Sequence, residues 1–158
     1  MVVPEDEPYR KTAKGFEGIV PEPYARRIHV MPEAGGWLEA VKQVEADLHK
    51  LRRYSDRRLL LLIDFDGDSS RRDYVFQRLA NAVQAEVLSR VYLLASLKEA
   101  EDLTRPEVKL GNYASIGSQI GIACQSAQAD PWQHTLLNHN QAELARLSTF
   151  ARPLLFGA

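Results

Sequence analysis

The stretch "LLLLIDFDGD", Leu59 to Asp68, sets an unbroken apolar run directly before three alternating aspartates. A run without polar alternation suits a strand covered on both faces, as in the middle of a parallel sheet. Three carboxylates so close together repel one another unless a cation, an arginine or water compensates them. Asp64, Asp66 and Asp68 are therefore the first candidates for a functional site.

Upstream, Val2 and Val3 run into Pro4 and read as a short first strand, followed by a weakly amphipathic segment from Tyr9 to Glu17. In "ARRIHVMP", Ile28 and Val30 stop at Pro32 and predict a second strand. After Gly35 and Gly36, the apolar residues Trp37, Leu38, Val41, Val44, Leu48 and Leu51 recur mostly at steps of three and four, which makes one helical face. Downstream of the aspartates, Ser70 with Asp73 resembles a capping box, and Tyr74, Phe76, Leu79, Ala80 and Val83 would form the packing face of that helix. "VLSRVYLLAS" predicts a fourth strand, and the remainder reads mainly as helix. Asn140 with Glu143 predicts a capped start for the last helix, and Gly117 to Gly121 allow close helix packing.

Strands alternating with helices imply βαβ crossovers. The expected fold is an α/β three-layer sandwich with a mostly parallel central sheet and a helical C-terminal part. We expect one domain over residues 1–158, with a βα core over 1–100 and a mainly helical extension over 101–158.

At 45% hydrophobic and 26% charged residues with a net charge of −1, the chain has the balance of an ordinary globular protein and lacks the charge excess of a general DNA-coating one. The single cysteine, Cys124, excludes an internal disulfide and reads as a small buried hydrophobe. The acidic start "MVVPEDEPYR" does not resemble a signal peptide, and no apolar run approaches membrane-spanning length. The expectation is a cytoplasmic protein with no membrane partner.

In parallel sheets ligands collect beyond the carboxyl ends of the strands. This rule sets "PEDE", with Glu5, Asp6 and Glu7, on the same rim as "DFDGD". Glu7, Asp64, Asp66 and Asp68 then form an oxygen-rich set suited to Mg²⁺ or Mn²⁺. Arg71 and Arg72 follow at the start of a helix, where exposed N–H groups favour anions, and are candidate phosphate contacts. The same residues also admit a purely structural reading. Acids populate loops, Ser69 or Ser70 can cap the helix, and the two arginines can neutralise the aspartates.

With Glu5 after the first strand and the pair Asp64 and Asp66 after the third, the first hundred residues resemble the topoisomerase-primase (Toprim) fold. The resemblance implies that the aspartates bind Mg²⁺ and that Glu5 acts as acid or base in phosphodiester chemistry, with nucleic acid as the substrate class and nuclease activity as one form. Asp6 stands where that family usually has glycine. "LLLLIDFDGD" is also similar to the Asp-x-Asp-Gly-Thr signature of the haloacid-dehalogenase superfamily, which would make Asp64 a nucleophile, Asp66 an acid or base and Ser96 a second-motif hydroxyl, although Asp68 replaces the threonine. "VVPEDEP" resembles the first strand and acidic pocket of response-regulator receiver domains, but Lys98 and Lys109 are poorly placed for the lysine those domains use. A non-catalytic interaction or signalling module is the alternative in another class. The chain as a whole also resembles small uncharacterised bacterial proteins sharing "EDEP", "AGGW" and "LLIDFDG", which implies no activity.

Other signals are weaker. An EF-hand fails because its sixth position is Ser69 and its twelfth is Val75. His134 and His139 have no third ligand nearby for zinc. The basic run "KLRRYSDRR" suits a helix end on the edge opposite the aspartates. No P-loop, dinucleotide fingerprint or nucleophile elbow occurs.

Overall fold

A computed structural model describes residues 1–128 and 130–157. The elements run β1 (Val2–Pro4), α1 (Glu7–Glu17), α2 (Glu22–Ala25), α3 (Trp37–Arg53), β2 (Leu59–Asp64), α4 (Ser70–Ala82), α5 (Ala85–Leu88), β3 (Val91–Ser96), α6 (Tyr113–Ser126) and α7 (Gln141–Phe156), with short 3₁₀ turns before α6 and α7. The sheet is parallel throughout, in the order β1-β2-β3, with Val2 opposite Leu60 and Leu59 opposite Val91. The α/β sandwich expected from the strand-helix alternation is therefore the observed architecture.

β2 is central because its residues satisfy both faces. Leu59, Leu61 and Ile63 are fully buried against Val41, Val44, Leu48 and Leu51 of α3 and Val75 and Leu79 of α4. Side chains alternate along a strand, so Leu60 and Leu62 point to the other face, towards Ala13 of α1 and the α6 and α7 layer. The helices α3, α4 and α5 thus form one outer layer and α1, α6 and α7 the other.

The second strand expected at Ile28 and Val30 does not form. Val30 makes one isolated parallel bridge to Val2, on the side of β1 away from β2, and Pro32, which has no N–H to donate, soon follows. The course of the chain is nevertheless that of a doubly wound sheet. From β1 it passes through α1 to the Val30 bridge on one side, then returns through α3 on the other face to β2. The strand direction of travel reverses beside β1, so the crevice between the carboxyl ends of β1 and β2 is the topological switch point where such sheets bind ligands.

Two other expectations are corrected. "VLSRVYLLAS" is not one strand: its start belongs to α5, and β3 begins at Val91. In α4 the buried residues are Val75 and Leu79, with Phe76 and Val83 packed beside them, while Tyr74 is 46% exposed and Ala80 faces solvent. The core-facing stripe is rotated by about one position from the expected one, because Val75 faces β2.

The C-terminal helices are structural partners of the sheet layer. Gly117 of α6 lies so close to α1 that a Cβ there would stand 1.9 Å from the Thr12 carbonyl oxygen, and one on Gly15 would stand 2.1 Å from that of Ala114. α7 protects β3, whose outer edge has no neighbouring strand among the described residues. Asn140 accepts from the Ala95 N–H at 3.0 Å and donates to its carbonyl at 2.7 Å. Glu143, 3% exposed, accepts from the Leu93 N–H at 3.0 Å, and Arg146 donates to the Val91 carbonyl at 2.6 Å. The capping pair expected at Asn140 and Glu143 is thus replaced by a row of side chains that completes the hydrogen bonding of a strand edge. Their backbone lies next to β3, where an unpaired amide or carbonyl is the more costly group to leave unmet.

Candidate functional site

The rim at the switch point is built by the ends of three strands. The β1–β2 ladder continues past β1 through the Glu5 N–H to the Leu62 carbonyl at 2.9 Å, and Asp64 stands opposite Ser96 at the ends of β2 and β3. Glu5 and Asp64 are each only 9% exposed. Glu5 reaches across and accepts a hydrogen bond from the Asp64 N–H at 3.0 Å. The Glu5 carboxylate and the end of β2, 59 residues apart in sequence, are thereby held together at the ligand edge.

Arg71, the second residue of α4, closes over them. Its Nη1 donates to the Asp64 carbonyl at 2.9 Å and to Asp64 Oδ1 at 3.1 Å, and its Nη2 donates to Asp66 Oδ2 at 2.8 Å. Asp66 reaches this position through a left-handed backbone, φ 48°, followed by Gly67 at φ 77°, so the loop turns sharply enough to bring α4 back over the strand end. The guanidinium lies 4.7 Å above the Trp37 ring, which meets Tyr74 edge to face at 5.6 Å. Arg71 is consequently a fixed cation, 12% exposed, seated between two aspartates and an aromatic face.

Electrostatics at the rim favour protons. Burial raises the pKa of Asp64 to about 7, the Glu5 and Asp66 carboxylates push in the same direction, and Arg71 opposes them. Glu5 is also raised, chiefly by burial, against the Asp64 N–H that stabilises its charged form.

Behind the carboxylates, Tyr9 Oη lies 2.6 Å from Ser96 Oγ, both buried. Ser96 donates to the Lys98 carbonyl, which leaves the Tyr9 hydroxyl to donate to Ser96. Burial lifts the Tyr9 phenol well above its usual value, with Ser96 opposing and Asp64 and Glu5 adding to the rise. This neutral hydroxyl pair was not legible as a unit, since its members lie 87 residues apart. The sequence signal was half present, in Ser96 as the last residue of a strand paired with Asp64.

The remaining candidates lie apart from this centre. Asp6 caps α1, accepting from the Tyr9 N–H at 3.1 Å. Glu7 opens the first turn of α1 and pairs with Lys11 at the surface. Asp68 accepts from the Ser70 N–H at 3.0 Å and the Ser70 hydroxyl at 2.6 Å, and this turn starts α4 in place of the expected Ser70 and Asp73 box. Arg72 points to Glu143 of α7 at 3.3 Å, away from the aspartates. His139 packs against Phe65 with ring centroids 5.3 Å apart, and burial lowers its pKa.

The donor chemistry of Glu5, Asp64 and Asp66 is hard and all oxygen, which suits Mg²⁺ or Mn²⁺. Their arrangement is more restrictive. Among the described residues no three His, Cys, Asp or Glu side chains surround one point as a metal cage, and Arg71 occupies the space between Asp64 and Asp66. A cation here would rest on Asp64 and Asp66 with water completing its shell, as is usual for Mg²⁺. No family model, curated protein or solved structure matches the chain.

Proposed function

We propose that the rim carries Toprim-like, Mg²⁺-dependent phosphodiester chemistry, with nucleic acid as the substrate class. The observation that supports this reading is the buried Asp64, raised to about 7 beside Glu5 at the switch point of a parallel sheet. A carboxyl pair poised near neutral pH can take up and release a proton under working conditions. Asp64 and Asp66 would hold the metal, whose charge at such a site stabilises a phosphoryl oxygen. Glu5, held against Asp64 through the Asp64 N–H and not hydrogen-bonded by Arg71, would act as the acid or base of the pair. Arg71, released from Asp64 and Asp66, presents a planar guanidinium matched to phosphate, with Trp37 fixing its plane.

A second reading has its own support. Arg71 already satisfies Asp64 and Asp66 within the chain, as a non-catalytic rim used for protein binding or signalling would. Calorimetric titration with Mg²⁺ and Mn²⁺, on the wild type and on a chain carrying Asp64→Asn and Asp66→Asn, separates the two. Saturable binding that disappears in the variant, together with Mg²⁺-dependent cleavage of single- or double-stranded DNA or RNA, is the expected result. Absence of both in the wild type would leave the interaction module as the function.

A further inference from the structure

The face of the sheet opposite α3 carries a second feature unrelated to the rim. Between the sheet and the layer of α1, α6 and α7 lies a cavity of about 580 Å³, within the range of small-molecule sites. Its floor is Leu60, Leu62 and Leu94, and its walls include Phe16 of α1, Ile120 of α6 and Leu147 of α7. Leu60 and Leu62 are only half-buried in the middle of the sheet, while Leu59 and Leu61 on the other face are fully buried. None of Glu5, Asp64 and Asp66 borders the cavity.

The charged side chains around this apolar chamber share one sign. Arg27, Arg58 and Arg152 border it, and among the described residues no Asp or Glu does. Arg58 stands at its edge with its side chain against the Tyr92 hydroxyl. Tyr92 is fully buried. Nη1 of Arg58 is already committed to the Ser55 and Arg57 carbonyls. The Arg58 guanidinium is held 4.4 Å over the Phe150 ring, and that of Arg146 lies 4.3 Å over the ring of Tyr92. An apolar chamber bordered only by guanidinium charges among the described residues favours an anion attached to an apolar body.

We propose that this cavity binds an anionic amphiphile, a hydrocarbon chain bearing a carboxylate. The head pairs with the Arg58 guanidinium at the cavity edge, which the neighbouring Tyr92 hydroxyl helps to place, and the chain lies along Leu60, Leu62 and Leu94. Selectivity then has two parts: the arginines reject a cationic head, and the leucine floor requires a chain.

Cys124 provides the readout, because it lines the cavity and is the only thiol in the chain. The experiment follows the rate of Cys124 labelling by a maleimide on the full chain, with dodecanoate or dodecyltrimethylammonium added below their micellar limits. Dodecanoate should slow labelling at least tenfold in a saturable way, and the cationic amphiphile should leave it unchanged. Arg58→Gln should raise the half-saturating dodecanoate concentration at least tenfold. Tyr92→Phe, which keeps the ring and removes only the hydroxyl, should raise it severalfold and serves if the arginine variant does not fold. Unchanged labelling of the wild type by dodecanoate overturns the proposal. So does equal protection by both amphiphiles, or a half-saturating concentration that the folded variants leave unaltered.

Discussion

Replacing Asp64 by asparagine tests the electrostatics of the rim directly. The Asp64 carboxyl has a pKa of about 7 in the folded chain and an ordinary value of 3.8. Between those values the folded state holds a proton that the unfolded state has released, so stability falls as pH rises through this window and levels off above about 7. At about 1.36 kcal/mol per unit the full shift corresponds to about 4 kcal/mol. Asp66 beside it is half-exposed and the rim borders water, so solvent screening reduces the expected penalty to about 2 kcal/mol at pH 8. Asp64→Asn keeps the oxygen that accepts from Arg71 and removes the charge. It should therefore stabilise the protein by about 2 kcal/mol at pH 8, roughly 4–8 °C in Tm for a chain of this size, and should have little effect at pH 4. Urea denaturation of both proteins at pH 4, 6 and 8 measures the difference, which cancels the opposing contributions of other titrating groups such as His139. If a cation binds the rim, Mg²⁺ should stabilise the wild type at pH 8 and not the variant. Equal stability of wild type and variant at every pH, or a variant less stable at pH 8, would refute the account of Asp64.

Arg71→Gln should destabilise the protein by about 1–2 kcal/mol at pH 8 and less at pH 5, because of its two carboxylate partners Asp64 is charged only above about 7; an equal loss at both pH values in urea melts would argue that Arg71 acts through Asp66 and its packing on Trp37 and not through Asp64. Asn140→Ala leaves the Ala95 N–H and carbonyl without partners and should cost about 3 kcal/mol, with amide exchange at Ala95 accelerating more than in the β2 strand. Gly117→Ala should cost about 3 kcal/mol or prevent folding, since its Cβ meets Thr12 backbone at 1.9 Å, whereas Gly18→Ala, with its nearest neighbour at 3.6 Å and a helical φ of −64°, should be neutral or stabilising by about 0.5 kcal/mol. Thermal melts of the two alanine variants side by side decide between close packing and helix propensity.

The sequence by itself determined the elements whose signal is local. The unbroken run from Leu59 to Ile63 can satisfy only a strand buried on both faces, and the three- and four-residue spacing from Trp37 to Leu51 can bury only one side of a helix. Once those are parallel βα units, the carboxyl-end rule alone brings Glu5 and Asp64 to a common rim, and they meet there. Single-residue signals were less secure. Ser70 with Asp73 and Asn140 with Glu143 have the spacing of helix caps, yet a capping pattern states only that a side chain can reach a nearby amide. Asp68 competes successfully for the first start, and the edge of β3 claims Asn140 and Glu143. Val30 has the propensity of a strand residue but makes one bridge, because pairing depends on a neighbour's length and Val2–Pro4 offers little. Tertiary structure alone decided that Arg71 and not Arg72 closes on the aspartates, since the left-handed turn at Asp66 sets which face of α4 overlooks the strand end. It also decided the Tyr9 and Ser96 pair and the cavity beneath Leu60 and Leu62. Each depends on groups distant in the chain, whose contacts no local periodicity encodes.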